Sequence, residues 1–382
     1  MGAGSGLFSP HLTTIKMKNN LPNITFIGAG TIGTALGNIL AENGTGNILL
    51  HSVEPKVVDD INSTHVNTKY FPTLHLHPSL VATTDDSRLT SSGIIFLGIP
   101  STILIGYLKG IRKHIPEDAL LVNLAKGFGA ENKTIIECLV EEFPNPVCTL
   151  KGPSFAREII NRVPTGFTLG SRCTNARMHE CTNAPGRHAT TSPHADHRSQ
   201  IADHRSQIAD HRSQITDLFR GTNIHLDYST DILGVEILSI LKNIYAVVLG
   251  IVDAQFNSAN LQFLVLTKAF REMRRVLLSS GGQEETLFRY CGYGDFGLTA
   301  LNDLSRNRTL GLLIGKGFFT EHVSHELVLE GKTAVNVFYR ELSKKLTVEE
   351  QFPIIAELWR IFNGPYDVSA FVEKILNLPE PE

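Results

Sequence analysis

Two short polar runs stand close together between apolar stretches: Gly294-Asp295-Phe296-Gly297-Leu298-Thr299, and Ser305-Arg306-Asn307-Arg308 a few residues later. They offer a carboxylate, hydroxyls, guanidinium groups and an amide within a short span. Such groups suit a small anionic ligand, because a planar guanidinium grips phosphate through two parallel hydrogen bonds. The second run is expected to open a helix from Ser305 to Leu313, with Asp303 or Ser305 as its cap. Helix-start amides together with Arg306 and Asn307 would then make an anion seat; a solvated arginine pair has the same composition.

Lys242 stands beside Asn243 inside a strongly apolar helical run, Ile237–Val252. A lysine in that setting either snorkels to the surface or is buried for a purpose. Burial and a neighbouring cation both lower its pKa, which would let it exchange a proton near neutral pH. Lys126 is a candidate for that cation, and Asp295 for the group that orients the ammonium. Pro100-Ser101 and Lys126-Gly127 each follow a strand-like run. The tight loop Lys151-Gly152-Pro153-Ser154-Phe155-Ala156 follows another. In an open α/β sheet those carboxyl ends border the ligand crevice. Gly152 permits close backbone approach there and Ser154 supplies a hydroxyl.

A third constellation is Gly28-Ala29-Gly30-Thr31-Ile32-Gly33, a GxGxxG pattern placed after a strand and before a helix. In that context it reads as a dinucleotide fingerprint, with the helix dipole facing a pyrophosphate. The next strand ends at Leu50-His51-Ser52-Val53-Glu54. Glu54 stands late for a ribose ligand and no arginine marks a 2′-phosphate site, so NAD and NADP both stay open. Together the three constellations imply hydride transfer on a small phosphorylated alcohol. A related two-domain dehydrogenase of another phosphorylated or hydroxyacid substrate, and a cofactor-binding protein with weakened catalysis, are the competing readings.

The elements that must position these groups alternate. Strand-like runs at Asn23–Ile27, Asn47–Leu50, Gly93–Ile99, Ala119–Leu124, Val147–Leu150 and Gly166–Gly170 are separated by helical patterns, among them a helix closed by Gly44 and others at Ile103–Ile111 and Lys133–Val140. That alternation predicts a doubly wound parallel sheet. From Asp231 onward the periods are helical: Val235–Val252, Leu261–Leu278, Glu284–Tyr290, Arg308–Leu313, Thr333–Leu342 and Val348–Phe362. The expected organisation is a flexible extension over 1–20, a nucleotide domain over 21–225 and an all-α domain over 226–376. Residues 172–216 interrupt this pattern with a polar segment in which Ala-Asp-His-Arg-Ser-Gln-Ile occurs three times, at 195–201, 202–208 and 209–215. The apolar pair in each copy is adjacent rather than at a and d, which argues against a coiled coil. The segment is expected to be a solvated insertion whose repeats can be deleted without loss of the fold.

With 382 residues, 42% hydrophobic, 19% charged and a net charge of −3, the chain has room for two cores and no nucleic-acid footprint. Five cysteines without a framework spacing fit a reducing, cytoplasmic setting. Cys173, His179, Cys181 and His188 match no common zinc spacing, and no metal is expected. No apolar run is read as a membrane span. A homodimer stays open as the assembly.

These motifs, in order and separation from about Asn23 to Leu376, resemble the NAD(P)-dependent glycerol-3-phosphate dehydrogenase family in its bacterial soluble form. The residues that carry the resemblance are Gly28–Leu36, Ala125-Lys126-Gly127, Gly152–Ala156, Leu241-Lys242-Asn243, Gly294-Asp295, Leu298-Thr299, Ser305–Arg308 and Leu329-Glu330-Gly331. The resemblance implies a Rossmann domain followed by a helical domain of the 6-phosphogluconate-dehydrogenase-like kind, with the site in the cleft between them. It implies Lys242 as proton acceptor, with Lys126 and Asp295 beside it. It places Lys126, Gly152, Ser154, Asn243, Asp295, Thr299, Ser305, Arg306 and Asn307 around the substrate. Gly28, Gly30, Thr31, Ile32, Gly33, Lys126, Ala156, Arg306, Val328 and Glu330 match positions around NAD or NADP. It further implies supply of a glycerophospholipid precursor. The chain departs from the family's pattern at Leu238-Ser239-Ile240, where two glycines and an alanine are usual, and at Ala254, Ile32 and Val53. Bulk at 238–240 is expected to push Lys242 or narrow the cleft.

Overall fold

The computed structural model describes residues 21–171, 211–302, 305–318 and 325–377, with backbone alone over 325–330. The expected extension at 1–20, the Cys173–His188 group, the first two repeats and Asp303 lie outside the described residues.

Eight strands form one sheet in the order β3-β2-β1-β4-β5-β6-β7-β8. They are β1 (Asn23–Ile27), β2 (Asn47–His51), β3 (Val81–Thr83), β4 (Ile94–Leu97), β5 (Leu120–Asn123), β6 (Val147–Lys151), β7 (Thr165–Ser171) and β8 (Ile224–Ser229). All pairings are parallel except β6 with β7. The central strands β1, β4, β5 and β6 are buried on both faces, which is why they read as continuous apolar runs. The order reverses between β1 and β4, the switch point at which an open α/β sheet holds ligands. Two strands escape the sequence pattern. β3 has three residues, and β8 (Ile-His-Leu-Asp-Tyr-Ser) carries too many polar groups to look like a buried strand. β8 also carries the sheet through Ser229, across the expected domain boundary at 225/226.

Helices cover both faces: α1 (Thr31–Asn43), α2 (Pro55–Thr64), α3 (Ser101–Ile111), α4 (Ile135–Glu142), α5 (Ala156–Ile160) and α6 (residues 211–219). α1 ends at Gly44, whose φ of 63° is the left-handed cap that glycine takes without strain. α6 corrects the expectation of a wholly solvated insertion. It contains the end of the third repeat, and its Ile215, Leu218 and Phe219 lie at helical spacing and are buried against the sheet. Arg212 covers the Tyr228 ring at 3.5 Å.

The second unit is built on α7 (Ile232–Gln255), followed by α8 (Ala259–Ser279), α9 (Asp295–Leu301), α10 (Arg306–Gly315), α11 (His325–Ser343), α12 (Val348–Gln351), α13 (Pro353–Asn363) and α14 (Phe371–Asn377). α12 and α13 replace the single expected helix Val348–Phe362. Pro353 lacks the amide and disfavours helical backbone at Phe352, so the helix restarts there. Glu284–Tyr290 is likewise not one helix. A 3-10 turn (Glu284–Phe288) gives way to a π-helical turn at Tyr290–Gly294. α7 is, by length and composition, apolar enough to cross a membrane, contrary to the sequence reading. Here 94% of its apolar window is buried inside the fold, as the core helix of the second unit. Its first residue, Ile232, joins the core of the nucleotide unit.

α7 and α10 approach closely through glycines. A Cβ on Gly311 would fall 2.0 Å from the Val247 carbonyl oxygen, and one on Gly250 would fall 2.2 Å from that of Arg308. Gly311→Ala should therefore lower unfolding free energy by about 1–3 kcal/mol, measured by urea titration. An unchanged midpoint would mean that the helices do not pack this closely. The repeats give a second test. Deleting 195–208 leaves one intact copy and should leave the melting temperature unchanged. Deleting 195–215 also removes the buried Ile215 and should cost about 2–5 kcal/mol. Equal melting temperatures for the two deletions would remove α6 from the core.

Candidate active site

The site is assembled from both units. Lys242 lies in the middle of α7 and is buried. Its Nζ donates to Asp295 Oδ1 at 2.6 Å and to Thr299 Oγ1 at 2.9 Å. Asp295 and Thr299 are one turn apart on α9, so a single helix face presents both acceptors. The π-helical turn and Gly292 set the entry into α9. A Cβ on Gly292 would fall 2.1 Å from the Leu287 carbonyl oxygen, and the Cys291 amide is anchored on Thr168 Oγ1 at 3.0 Å.

Lys126, beyond the end of β5, reaches the other oxygen of the same carboxylate: Nζ to Asp295 Oδ2 is 2.9 Å. It also donates to the Gly152 carbonyl at 3.0 Å and to Ser154 Oγ at 3.2 Å. All three of its N–H bonds are thus used within the protein. Lys242 uses two, and the third has no partner among the described residues. Burial pulls the Lys242 pKa well below the usual lysine value, to about 7; the Asp295 carboxylate opposes this and the Lys126 ammonium adds to it.

A cleft beside this cluster is lined by Ser101, Lys126, Gly127, Ile240, Asn243 and Thr333, among others. Gly127 makes room for Ser101, whose Oγ would lie 2.2 Å from a Cβ at that position. The structure therefore brings Lys126, Gly152, Ser154, Thr299, Lys242 and Asp295 into one hydrogen-bonded group, with Asn243 on the adjoining cleft wall. Ser305 caps α10: its Oγ accepts from the Arg308 amide at 3.3 Å. Arg306 is exposed and Asn307 half-buried on the first turn of α10, and neither is hydrogen-bonded to the lysine–aspartate group. Arg308 is held instead by Asp253 and by the Ala300 carbonyl, the latter at 2.8 Å.

The glycine loop sits at the switch point. Gly28 has φ of 111°, a conformation L side chains avoid, and its amide donates to the His51 carbonyl of β2 at 2.9 Å. A Cβ on Gly33 would fall 2.1 Å from the Gly28 carbonyl oxygen, whereas one on Gly30 would meet nothing within 4 Å. The open side of the loop is thus at Gly30, with Thr31 exposed and Ile32 half-buried beside it. Ala156 starts α5 and is half-buried. Val328 and Glu330 lie on α11 where side chains are outside the description.

Two buried residues had no role in the sequence reading. Lys151 and Glu236 are fully buried with Nζ 3.1 Å from Oε1. Their signal was a charged residue closing the apolar strand Val-Cys-Thr-Leu-Lys and an acid inside an apolar helix.

Two family profiles cover most of this chain: NAD-dependent glycerol-3-phosphate dehydrogenase N-terminus at residues 23–177, and its C-terminus at residues 231–373. A glycerol-3-phosphate dehydrogenase, NAD(P)+, of Clostridium tetani is 32% identical over 91% of this chain and 90% of its own. One from Methanothermobacter thermautotrophicus is 31% identical over 92% and 96%. The crystal structure of the Coxiella burnetii glycerol-3-phosphate dehydrogenase superposes with a TM-score of 0.74 at 25% identity, covering 93% of this chain and 99% of that one.

Proposed function

We propose that this chain, which belongs to the NAD-dependent glycerol-3-phosphate dehydrogenase family, is an NAD(P)-dependent oxidoreductase that interconverts sn-glycerol 3-phosphate and dihydroxyacetone phosphate. One observation carries the reading: a buried lysine with a spare N–H, held at 2.6 Å by a carboxylate that a second lysine also holds. Lys126 is saturated and serves as a fixed positive charge. Lys242 is the group free to exchange a proton, and its lowered pKa puts both protonation states within reach near neutral pH.

A bound nicotinamide would supply the hydride donor or acceptor at C2. The chain's own residues fit such a dinucleotide: Gly28, Gly30 and Gly33 form an open loop at the start of α1, with Thr31, Ile32 and Ala156 at its rim. Lys126, its N–H groups already taken, faces both ligands as a positive charge, Arg306 stands for contacts to both, and Val328 and Glu330 complete the set on the family pattern. In carbonyl reduction, protonated Lys242 gives its proton to the substrate oxygen. In alcohol oxidation, neutral Lys242 takes that proton back. Asp295 and Thr299 hold Nζ through both states. Ser305 caps the helix whose first turn presents Arg306 and Asn307 to the substrate phosphate, while Ser154, Gly152 and Asn243 border the reacting end.

At the adenosine side, Val53 is exposed at the end of β2, and the neighbouring Glu54 carboxylate pairs with Lys69 at 2.5 Å. That pair offers a carboxylate to a 2′-hydroxyl and an ammonium to a 2′-phosphate, so both NADH and NADPH are taken as partners. Buried free thiols at Cys138, Cys148 and Cys291, all with pKa raised by burial, support placement in the reducing cytoplasm. There the product glycerol 3-phosphate would feed glycerophospholipid synthesis.

The test is oxidation of NADH and NADPH at 340 nm with dihydroxyacetone phosphate. Turnover with at least one of the two is expected, their rate ratio giving the preference; none with either cofactor would overturn the reading. Because the proton donor is the charged form of Lys242, kcat for reduction should fall as pH rises through about 7. The rate of oxidation should rise over the same range. Lys242→Ala should lower kcat roughly 10²- to 10⁴-fold with cofactor affinity retained, and a variant that keeps parental kcat would remove the lysine from the mechanism. Arg306→Ala should raise KM for dihydroxyacetone phosphate roughly 10- to 100-fold; an unchanged KM would sink the phosphate assignment.

A further inference from the structure

Next to the lysine–aspartate group is a second buried polar cluster, centred on Lys151 and Glu236, neither of which is among the residues lining the cleft. Lys151 closes β6 and is wholly buried. Its Nζ reaches Glu236 of α7 at 3.1 Å and the Asn123 carbonyl at 3.4 Å, and it also donates to the Ala125 carbonyl. Glu236 is buried too, and it accepts from Asn123 Nδ2 at 2.8 and 3.0 Å and from Thr149 Oγ1. Asn123 Oδ1 in turn accepts from the Ala125 amide at 2.9 Å.

The covalent neighbours of this cluster are the site residues. Ala125, held at both its amide and its carbonyl, precedes Lys126. Lys151 precedes Gly152, whose carbonyl receives Lys126. Glu236 lies six residues before Lys242 on α7, about 9 Å along the axis. One buried ion pair therefore ties together the three backbone segments that deliver Lys126, the Gly152–Ser154 loop and Lys242, and it does so across the join between sheet and helical unit.

We propose that Lys151 and Glu236 are positioning residues for the reaction, fixing the Lys126 loop and the Gly152 loop in register with the α7 lysine so that Lys126, Asp295 and Lys242 meet. The proposal rests on the functional reading of that group. It accounts for a fully buried ion pair, which is a poor source of net stability because desolvation offsets most of the attraction. Burial also lowers the Lys151 pKa, to about 8, with Glu236 opposing the shift.

The variants Lys151→Met and Lys151→Met/Glu236→Gln separate positioning from stability. The single change strands a buried carboxylate and should lower both melting temperature and kcat. The double change removes both charges and should recover the melting temperature. Its kcat should nevertheless remain roughly 10- to 100-fold below that of the parent, because the carbonyl of Ala125 has lost its anchor, while the dissociation constant for NADH stays put. A double variant with parental melting temperature and parental kcat overturns the proposal and leaves the pair a purely structural one. Should the double variant not recover stability, Glu236→Gln alone is read the same way: reduced kcat with unchanged NADH affinity supports the assignment, and parental kcat overturns it. Failure of the functional reading looks different, since the parent itself would then not reduce dihydroxyacetone phosphate. In that event amide hydrogen exchange over 125–127 and 152–154 decides, with faster exchange in the Glu236→Gln protein supporting the positioning role and unchanged exchange overturning it.

Discussion

The Asp295 carboxylate is the constraint on which the rest depends. It is almost completely buried, and a buried carboxylate is stable only if its oxygens are met by donors or cations. One oxygen faces Lys242 and the other faces Lys126. Those lysines come from different units, one from the core helix and one from the end of a sheet strand. Satisfying Asp295 therefore requires the two units to sit together, and the act of docking them produces the chemical group. The two cations also differ in what they have left: Lys126 is saturated by protein acceptors, whereas Lys242 is not. On the proposed function, that difference, rather than proximity alone, separates a proton-exchanging lysine from a static charge.

α7 makes this economical. Nearly every residue from Ile232 to Val252 is buried, so the helix is anchored by apolar contact on all sides, and a charged group on it cannot swing away. Where charge occurs within the helix it is answered: Glu236 by Lys151, Asn123 and Thr149; Lys242 by Asp295 and Thr299. Near its end Asp253 answers Arg308, which fastens α10 to α7 just below the turn carrying Arg306 and Asn307. Gly250 and Gly311 let those two helices close to backbone contact. Lys242 and the turn carrying Arg306 and Asn307 are thus referenced to one rigid element.

Much of this is legible in the chain, for physical reasons that also say where legibility ends. A strand buried on both faces must be apolar throughout, so β1, β4, β5 and β6 declare themselves, and the glycine fingerprint is recognisable because its backbone conformation admits few other residues. β3 and β8 lie outside that rule, being too short and too polar. Lys242 and Asp295 stand out because a charge in an apolar neighbourhood demands an explanation. What sequence could not supply is pairing between distant segments: nothing in the spacing joins Lys151 to Glu236, or Asp253 to Arg308. The third repeat was misread for a related cause, since the repeated sequence said nothing about Ile215 being covered by the sheet.

The departure at Leu238-Ser239-Ile240 shows how tertiary structure decides what bulk does. Three larger side chains just before Lys242 were expected to push it or to crowd the cleft. Leu238 and Ser239 are wholly buried, and Ser239 Oγ turns back to the Glu236 carbonyl at 2.7 Å, within the helix. Lys242 keeps both its bonds, at 2.6 and 2.9 Å. Of the three, Ile240 lines the cleft, together with Asn243, Lys126 and Gly127. A helix turns each successive side chain by about 100°, so the three bulky residues are shared among different surroundings. The bulk of Ile240 thus faces the cleft, while Lys242 stays on Asp295 and Thr299.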